Sequence, residues 1–394
     1  MIATEVDRQK FLNSELKYYR LLFLIPVFLL FDLSIVINIS LIFCFVYFLT
    51  SQSLKIITPD LLLWVSLILW GIYTVIISPV LSTGLLHYSL IIISPFLIFI
   101  LVINIENSEF YKFLKNFMDF SLIAGCIISF YSIFTFYEIG FKFSMRIPSF
   151  WQHYNLVAAF LMLLIIFNIS ILIYSKDTSK KIYILSLLIL ITGLILTQTR
   201  AVLLGVVLAL IIFIFKKPRL IIPISIFFFI AVFLFWGLIT DRLTSVINFY
   251  ADISTLGRIQ AWLTSIELIK ENLLLGYGFD SYIKLRDTVF SNYFVVTNHS
   301  HSTYLGLILE LGLIGFLLYF SFYIKAIYYS FFSRKIKNNF FPFVAGLQAS
   351  LLVLLIIFFF EPYFTPFGAI TVFIWFLISV SYKIHSINLN NPEY

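Results

Sequence analysis

Apolar runs long enough to cross about 30 Å of hydrocarbon at 1.5 Å per residue recur along the whole chain, separated by short polar breaks. They predict twelve helices: 20–31, 34–50, 60–78, 86–104, 117–137, 154–174, 181–197, 200–215, 220–240, 302–328, 342–360 and 366–384. The first is short, so Phe31-Asp32-Leu33-Ser34 must form a tight hairpin. The organisation is therefore three parts: helices over 1–240, a hydrophilic segment over 241–301, and helices with a tail over 302–394. Within the hydrophilic segment, 256–271 is amphipathic. Ile259, Trp262, Leu263, Ile266 and Ile269 recur at helical spacing, and Gln260, Thr264, Glu267, Lys270 and Glu271 take the other side. This helix is expected on or near the membrane surface. Gly276-Tyr277-Gly278 then makes a turn.

Composition changes the picture from helical to membrane-embedded. Of 394 residues, 61% are hydrophobic and 11% charged, against roughly 25% charged in soluble domains. Lipid must therefore solvate much of the surface. The 47 Phe and 23 Tyr read as lipid-facing and interfacial filling. The net charge of +7 does not point to nucleic acid, because the basic residues sit in short clusters between apolar runs. With the N-terminus in the cytoplasm, 18 of the 26 Lys and Arg fall on the inner side, as the positive-inside rule requires. Both termini are then cytoplasmic. No cleavable leader is expected after the polar stretch Met1–Arg20. Cys44 and Cys126 lie inside apolar runs, so neither a disulfide nor a metal site is expected from them.

Ionisable groups at a membrane boundary are costly unless paired or solvated, which singles out four outer places. Thr197-Gln198-Thr199-Arg200 is a polar break between two helices. Its arginine reads either as an interfacial anchor or as a cation for a lipid diphosphate, for which a guanidinium fork is suited. Gly257-Arg258 opens the amphipathic helix, where free N–H groups favour anions; the alternative is a solvated residue. Asn298-His299-Ser300-His301-Ser302-Thr303-Tyr304 places two histidines at a boundary. Metal binding would need further ligands that no local Asp, Glu or Cys cluster supplies. Polar filler and a proton-accepting histidine are the other readings. Lys142, Arg146 and His153, with Asn155, form a short basic stretch that suits anchoring or substrate contact.

The order of these features resembles the O-antigen ligase and polymerase superfamily. A Thr-Gln-Thr-Arg break precedes Gly257-Arg258 and Trp262, then the Gly-Tyr-Gly turn, then a histidine leading a Gly- and Leu-rich helix. The ligase pattern is His, Asn/Ser/Gln, nine residues, Gly, two residues, then Gly/Thr/Tyr. It is complete here in His301-Ser302, Gly312 and Gly315, in register with His301 and not His299. The resemblance covers roughly 150–384. It implies an all-α, GT-C-like membrane glycosyltransferase of about twelve helices in a bacterial inner membrane, with its site on the periplasmic face. The implied donor is a glycan on polyprenyl diphosphate, and the acceptor is a sugar hydroxyl of lipid A-core, or a second lipid-linked repeat in the polymerases. The resemblance maps the essential arginines onto Arg200 and Arg258 and the essential histidine onto His301. Arg146, His153, Thr197, Gln198 and His299 are candidate substrate contacts. No cofactor is expected, and catalysis is expected to be metal-independent, with arginines taking the place of a metal at the leaving diphosphate. Asp32 reads as a hairpin stabiliser or, by likeness to other GT-C enzymes, as an acid in the first outer loop. A transporter is the competing class, but neither an internal repeat nor midplane polar sites are visible in the sequence.

Overall fold

The structure, a computed structural model, describes residues 18–31, 34–51, 60–140, 146–147, 153–175, 180–220, 222, 253–289, 297–332, 340–364 and 368–390. Asp32, Lys142 and all of the expected helix over 220–240 except Leu220 and Ile222 lie outside the described residues. Every regular element described is helical. After a 3-10 stretch at Tyr18–Phe23 come α1 (Leu24–Leu29), α2 (Ser34–Ser51), α3 (Leu61–Ile76), α4 (Leu81–Ile103, with a π-helical stretch at Ser89–Ile93), α5 (Asn107–Glu138), α6 (Tyr154–Tyr174), α7 (Lys180–Thr197) and α8 (Arg200–Lys216). They are followed by α9 (Ile253–Glu271), α10 (Ser281–Val289), α11 (Thr303–Phe332), α12 (Phe341–Ile357) and α13 (Gly368–Asn390).

Six of these carry stretches long and apolar enough to span a membrane: Leu81–Ile103, Asn107–Glu138, Tyr154–Tyr174, Lys180–Thr197, Thr303–Phe332 and Ile370–Asn388. Three shorter apolar helices, Ile35–Thr50, Leu61–Ile76 and Phe341–Ile357, accompany them. Outward-facing side chains such as Phe215 (82% exposed), Leu62 (76%) and Ile76 (73%) would each forgo about 1.5–3 kcal/mol if left in water. Lipid removes that cost. The chain is a multi-pass membrane protein.

The bundle is built around α6, buried along its length from Leu156 to Ile171. It is apolar on all sides because it packs on all sides, against α7, α8 and α12 above all. Two of its polar side chains bond to neighbouring helices. Asn168 donates to the Ser186 hydroxyl (2.7 Å), and the Ser170 hydroxyl donates to the Pro342 carbonyl (2.6 Å).

Charged contacts separate to two ends. At one end Lys325 pairs with Asp60 (2.6 Å), Lys383 donates to the Ile103 carbonyl (2.9 Å) and Lys217 to the Ile173 carbonyl (3.1 Å). At the other lie Arg146, His153, Arg258, His299 and His301.

α11 is broken where the ligase pattern has its first glycine. Gly312 adopts φ +68°, which L residues rarely tolerate. A break at membrane depth must have its backbone groups satisfied by protein, and the Gly276-Tyr277-Gly278 turn does this. The Tyr277 N–H donates to the Leu309 carbonyl (2.9 Å) and the Gly278 N–H to the Glu310 carbonyl (3.0 Å). In the other direction, the Leu313 N–H donates to the Leu273 carbonyl (2.8 Å) and the Ile314 N–H to the Leu274 carbonyl (3.4 Å). Trp70 Nε1 donates to the Leu311 carbonyl (2.7 Å). A Cβ at Gly312 would collide with the Leu274 carbonyl oxygen, and one at Gly315 with the Trp70 indole. Both glycines of the pattern are thus docking positions. Gly312→Ala is expected to lower stability in detergent by roughly 1–3 kcal/mol from the dihedral alone. An unchanged thermal midpoint would overturn this explanation.

The amphipathic helix is present as α9, with apolar residues turned outward. The side buried on the protein is Gly257, Ala261, Thr264, Ser265 and Leu268, packed against α10 and α11. Leu263 (51% exposed) and Ile266 (39%) face away. The Thr264 and Ser265 hydroxyls each donate to the carbonyl four residues back, both at 2.8 Å, so the small polar side can be buried without orphaned groups. The outward apolar side is left for lipid.

Candidate active site

The site forms where the starts of α6, α8 and α11, the middle of α9 and the loop before α13 converge. Its centre is a carboxylate that the sequence analysis did not single out. Glu361 follows α12 and is 1% exposed. Its Oε1 accepts from Arg258 Nη2 at 2.8 Å and its Oε2 from Asn155 Nδ2 at 2.9 Å. The Thr199 hydroxyl donates to Asn155 Oδ1 at 3.2 Å. The Thr303 hydroxyl donates to the Glu361 carbonyl (2.6 Å), and the Tyr363 N–H donates to Thr303 Oγ1 (3.0 Å). One hydrogen-bonded chain therefore runs from Arg258 through Glu361 and Asn155 to Thr199, the residue before Arg200. Burial pushes the Glu361 carboxyl up from the usual carboxylate range, and Arg258, Asn155 and Arg146 pull against that shift.

Arg258 is not at a helix start. α9 begins at Ile253, so the argument from free N–H groups at its end does not apply. What orients the guanidinium is Glu361. The pair uses Nη2, and Nε is buried with no partner among the described residues. With its side chain 21% exposed, Arg258 keeps N–H capacity for another anion.

Arg200 is the first residue of α8 and is partly exposed. The turn before it is tight. Gln198 is buried at φ +53°, and the Thr197 hydroxyl donates to the Leu194 carbonyl (2.7 Å). Thr197 is committed to its own helix. The Thr199 side chain goes to Asn155 and leaves the start of α8 without a side-chain cap, so its first N–H groups and the Arg200 cation lie together. Arg146 stacks over the Tyr154 ring at 4.8 Å. It is close enough to act on Glu361 electrostatically.

The two histidines sit together, ring centroids 4.2 Å apart and roughly edge to face. His301 adopts φ +52°, an uncommon conformation that costs about 1–3 kcal/mol. Trp262 Nε1 donates to its carbonyl at 3.3 Å, so α9 holds this strained residue directly. Ser302 bonds the Phe358 carbonyl at 3.2 Å and fixes the other side. Burial lowers the His301 imidazole to about 3, helped by His299 and Arg258. Burial, with His153 and Arg258, lowers His299 to about 4. Burial also lowers His153. All three are neutral near pH 7.

Arg146 and Arg258 thus act on Glu361, and Arg258 also acts on His299 and His301, with His153 beside His299. The 197–200 turn is tied in through Asn155 and Thr199. Among the described residues, no group of three or more His, Cys, Asp or Glu is placed to hold a metal ion. Sequence reasoning missed Glu361 as a site residue. The usable signal was a carboxylate beside Pro362 at a membrane boundary, with unpaired cations elsewhere on the same side.

Residues 184–320 match the family model described as O-Antigen ligase. This supports the O-antigen ligase superfamily, on the stretch that carries Arg200, Arg258, His301, Gly312 and Gly315. Arg146, His153, Asn155 and Glu361 lie outside the matched stretch. No curated protein matches the chain.

Proposed function

We propose, from the O-antigen ligase match as premise, that the chain transfers a glycan from a polyprenyl diphosphate to a sugar hydroxyl of lipid A-core. The observation that carries this reading is the buried Arg258–Glu361 pair beside a neutral, strained His301. The acceptor oxygen attacks the anomeric carbon. The bond from that carbon to the diphosphate oxygen breaks, and its electron pair leaves with the polyprenyl diphosphate. The acceptor's proton goes to the His301 imidazole. Arg258 and Arg200 offset the charge that develops on the leaving group, so no metal is required. Arg146, His153, Thr197, Gln198 and His299 are assigned to substrate contact or its support. The setting is a twelve-helix, GT-C-like protein of a bacterial inner membrane, with the site periplasmic and both termini cytoplasmic.

The test is reconstitution of the purified chain in vesicles with excess chelator, lipid-linked glycan as donor, and core-terminated lipid A or a second lipid-linked glycan as acceptor. Glycan on lipid A-core supports the ligase reading. Longer chains on the lipid carrier would make it a polymerase. Movement of donor across the vesicle without a new bond would make it a transporter.

A pH dependence follows from the histidines. In the free chain His301 is held near 3, so kcat/KM should show no acid limb near 6.5. A bound diphosphate brings negative charge, which favours the protonated imidazole and raises its pKa. The acid limb of kcat should therefore lie above that of kcat/KM, since kcat reports the donor-bound form. Coincident limbs near pH 6.5 would contradict this. The same lowering makes the unfolded chain bind protons that the folded chain refuses. Stability should fall as pH drops from 6.5 toward 4.

A further inference from the structure

His299 also lines a cavity of about 90 Å³ whose lining does not include Arg258. Its walls include His87 from α4, Asp280 and Ile283 around the start of α10, Asn298 and His299 before α11, and Glu310 within α11. Buried polar atoms on its lining lack hydrogen-bond partners among the described residues, Glu310 Oε2 and His87 Nδ1 among them. Glu310 is 5% exposed; its carboxylate accepts the Asp280 backbone N–H, but Oε2 has no partner among the described residues. His87 is 4% exposed, and its Nδ1 also has none. Orphaned buried acceptors are expensive and rare. The surrounding backbone is also unusual. Asp280 adopts φ +59°, and α4 changes to a π-helical stretch at Ser89, two residues after His87. Both features recur at functional sites.

The chemistry of this lining is opposite to that of the arginine side. Arg258, and Arg146 behind it, suit an anion. Asp280 repels one, so the cavity suits neither diphosphate nor phosphate. It offers carboxyl and imidazole groups, an amide at Asn298, and an apolar rim at Ile283. That set matches a ring edge carrying several hydroxyl groups. The volume holds about six water-sized groups, enough for the hydroxyl-bearing edge of a hexose and too small for a lipid chain. His299 forms one wall, and its ring is 4.2 Å from that of His301. A sugar held here would lie one side chain from the imidazole.

We infer that the cavity bounded by His87, Asp280, Asn298 and Glu310 is the subsite that holds the acceptor sugar through its hydroxyl groups. This deepens the transferase reading and rests on it for the word acceptor. The shared chemistry is a polyhydroxylated sugar, supplied by lipid A-core in a ligase or by a lipid-linked repeat in a polymerase. Equilibrium binding to the purified chain in detergent tests it, with deacylated core oligosaccharide and one released glycan repeat as probes. Glu310→Leu keeps roughly the volume but removes both carboxyl oxygens from the lining. Ile283→Trp, at a 37% exposed rim position, obstructs the mouth without touching the interior. Each should weaken binding of one probe at least tenfold and leave polyprenyl diphosphate binding unchanged, and which probe responds identifies the source. Wild-type binding of neither probe would overturn the subsite. So would unchanged sugar binding in the Ile283→Trp protein, leaving a water-filled space only. A chain that binds the sugar but never transfers glycan would sink the transferase reading and keep the subsite. A chain that transfers glycan with an acceptor KM indifferent to both variants would do the reverse.

Discussion

Replacing His301 with alanine should lower glycan transfer by about 10²-fold or more while the protein still inserts and folds. The site explains why the loss should be catalytic. His301 is neutral, its ring is beside the charge-bearing arginine side, and its backbone is held at φ +52° by contacts that do not involve the imidazole. Trp262 binds its carbonyl, and Ser302 and Thr303 anchor the residues that follow. The backbone strain also supplies a control. Glycine adopts positive φ at no steric cost, so His301→Gly should be at least as thermally stable as the alanine variant and equally inactive. Turnover near wild type in either purified variant would remove His301 from the reaction. His299→Ala should be milder, with a loss under about tenfold, because it acts on the field around His301 and on the cavity wall. Equal loss from both histidines would leave His301 without its special place.

Arg258→Lys should reduce turnover on the order of 10²-fold, comparable to removing a preorganised donor from a developing anion. Lysine can still meet Glu361 with its ammonium. It then has no second planar N–H direction for a phosphate, whereas the guanidinium has both. Glu361→Gln tests the same unit from the other side. It leaves the Asn155 contact possible but removes the charge that aims Arg258, so both turnover and stability should fall, the latter by about 2 kcal/mol. The reading fails if Arg258→Lys retains full turnover, or if Glu361→Gln loses stability but not activity, which would make the pair purely structural. Arg200→Lys is expected to follow Arg258→Lys in direction.

What the sequence made legible was what depends on local spacing. The pattern from His301 to Gly315 is contiguous, and Arg200 and Arg258 each lie in a recognisable polar break. Glu361 lies 103 positions from Arg258 in a short loop, with no spacing that announces a partner. The sequence left open which face of α9 packs on the protein. Hydrophobic periodicity reports which side avoids water, and at a membrane both lipid and protein satisfy that condition. Leu263 and Ile266 took the lipid side, and Ala261, Thr264 and Ser265 took the protein side because small residues permit close approach. The π-helical stretch in α4 and the break in α11 were not visible either. Each is a trade of backbone hydrogen bonds that a distant segment makes possible, and residue type alone does not specify it.

The break at Gly312 bears on the order of assembly. Taken alone, Thr303–Phe332 satisfies its own backbone only as an unbroken rod. Thirty residues at 1.5 Å each make one about 45 Å long, more than the roughly 30 Å of hydrocarbon. The bend becomes affordable only when Tyr277, Gly278, Leu273 and Leu274 arrive to take over the broken ladder. The order expected on this ground is a rod first, with the segment before it folding back afterwards. His301 gains its final setting in that last step, so a chain caught before docking would be fully threaded through the bilayer yet chemically silent.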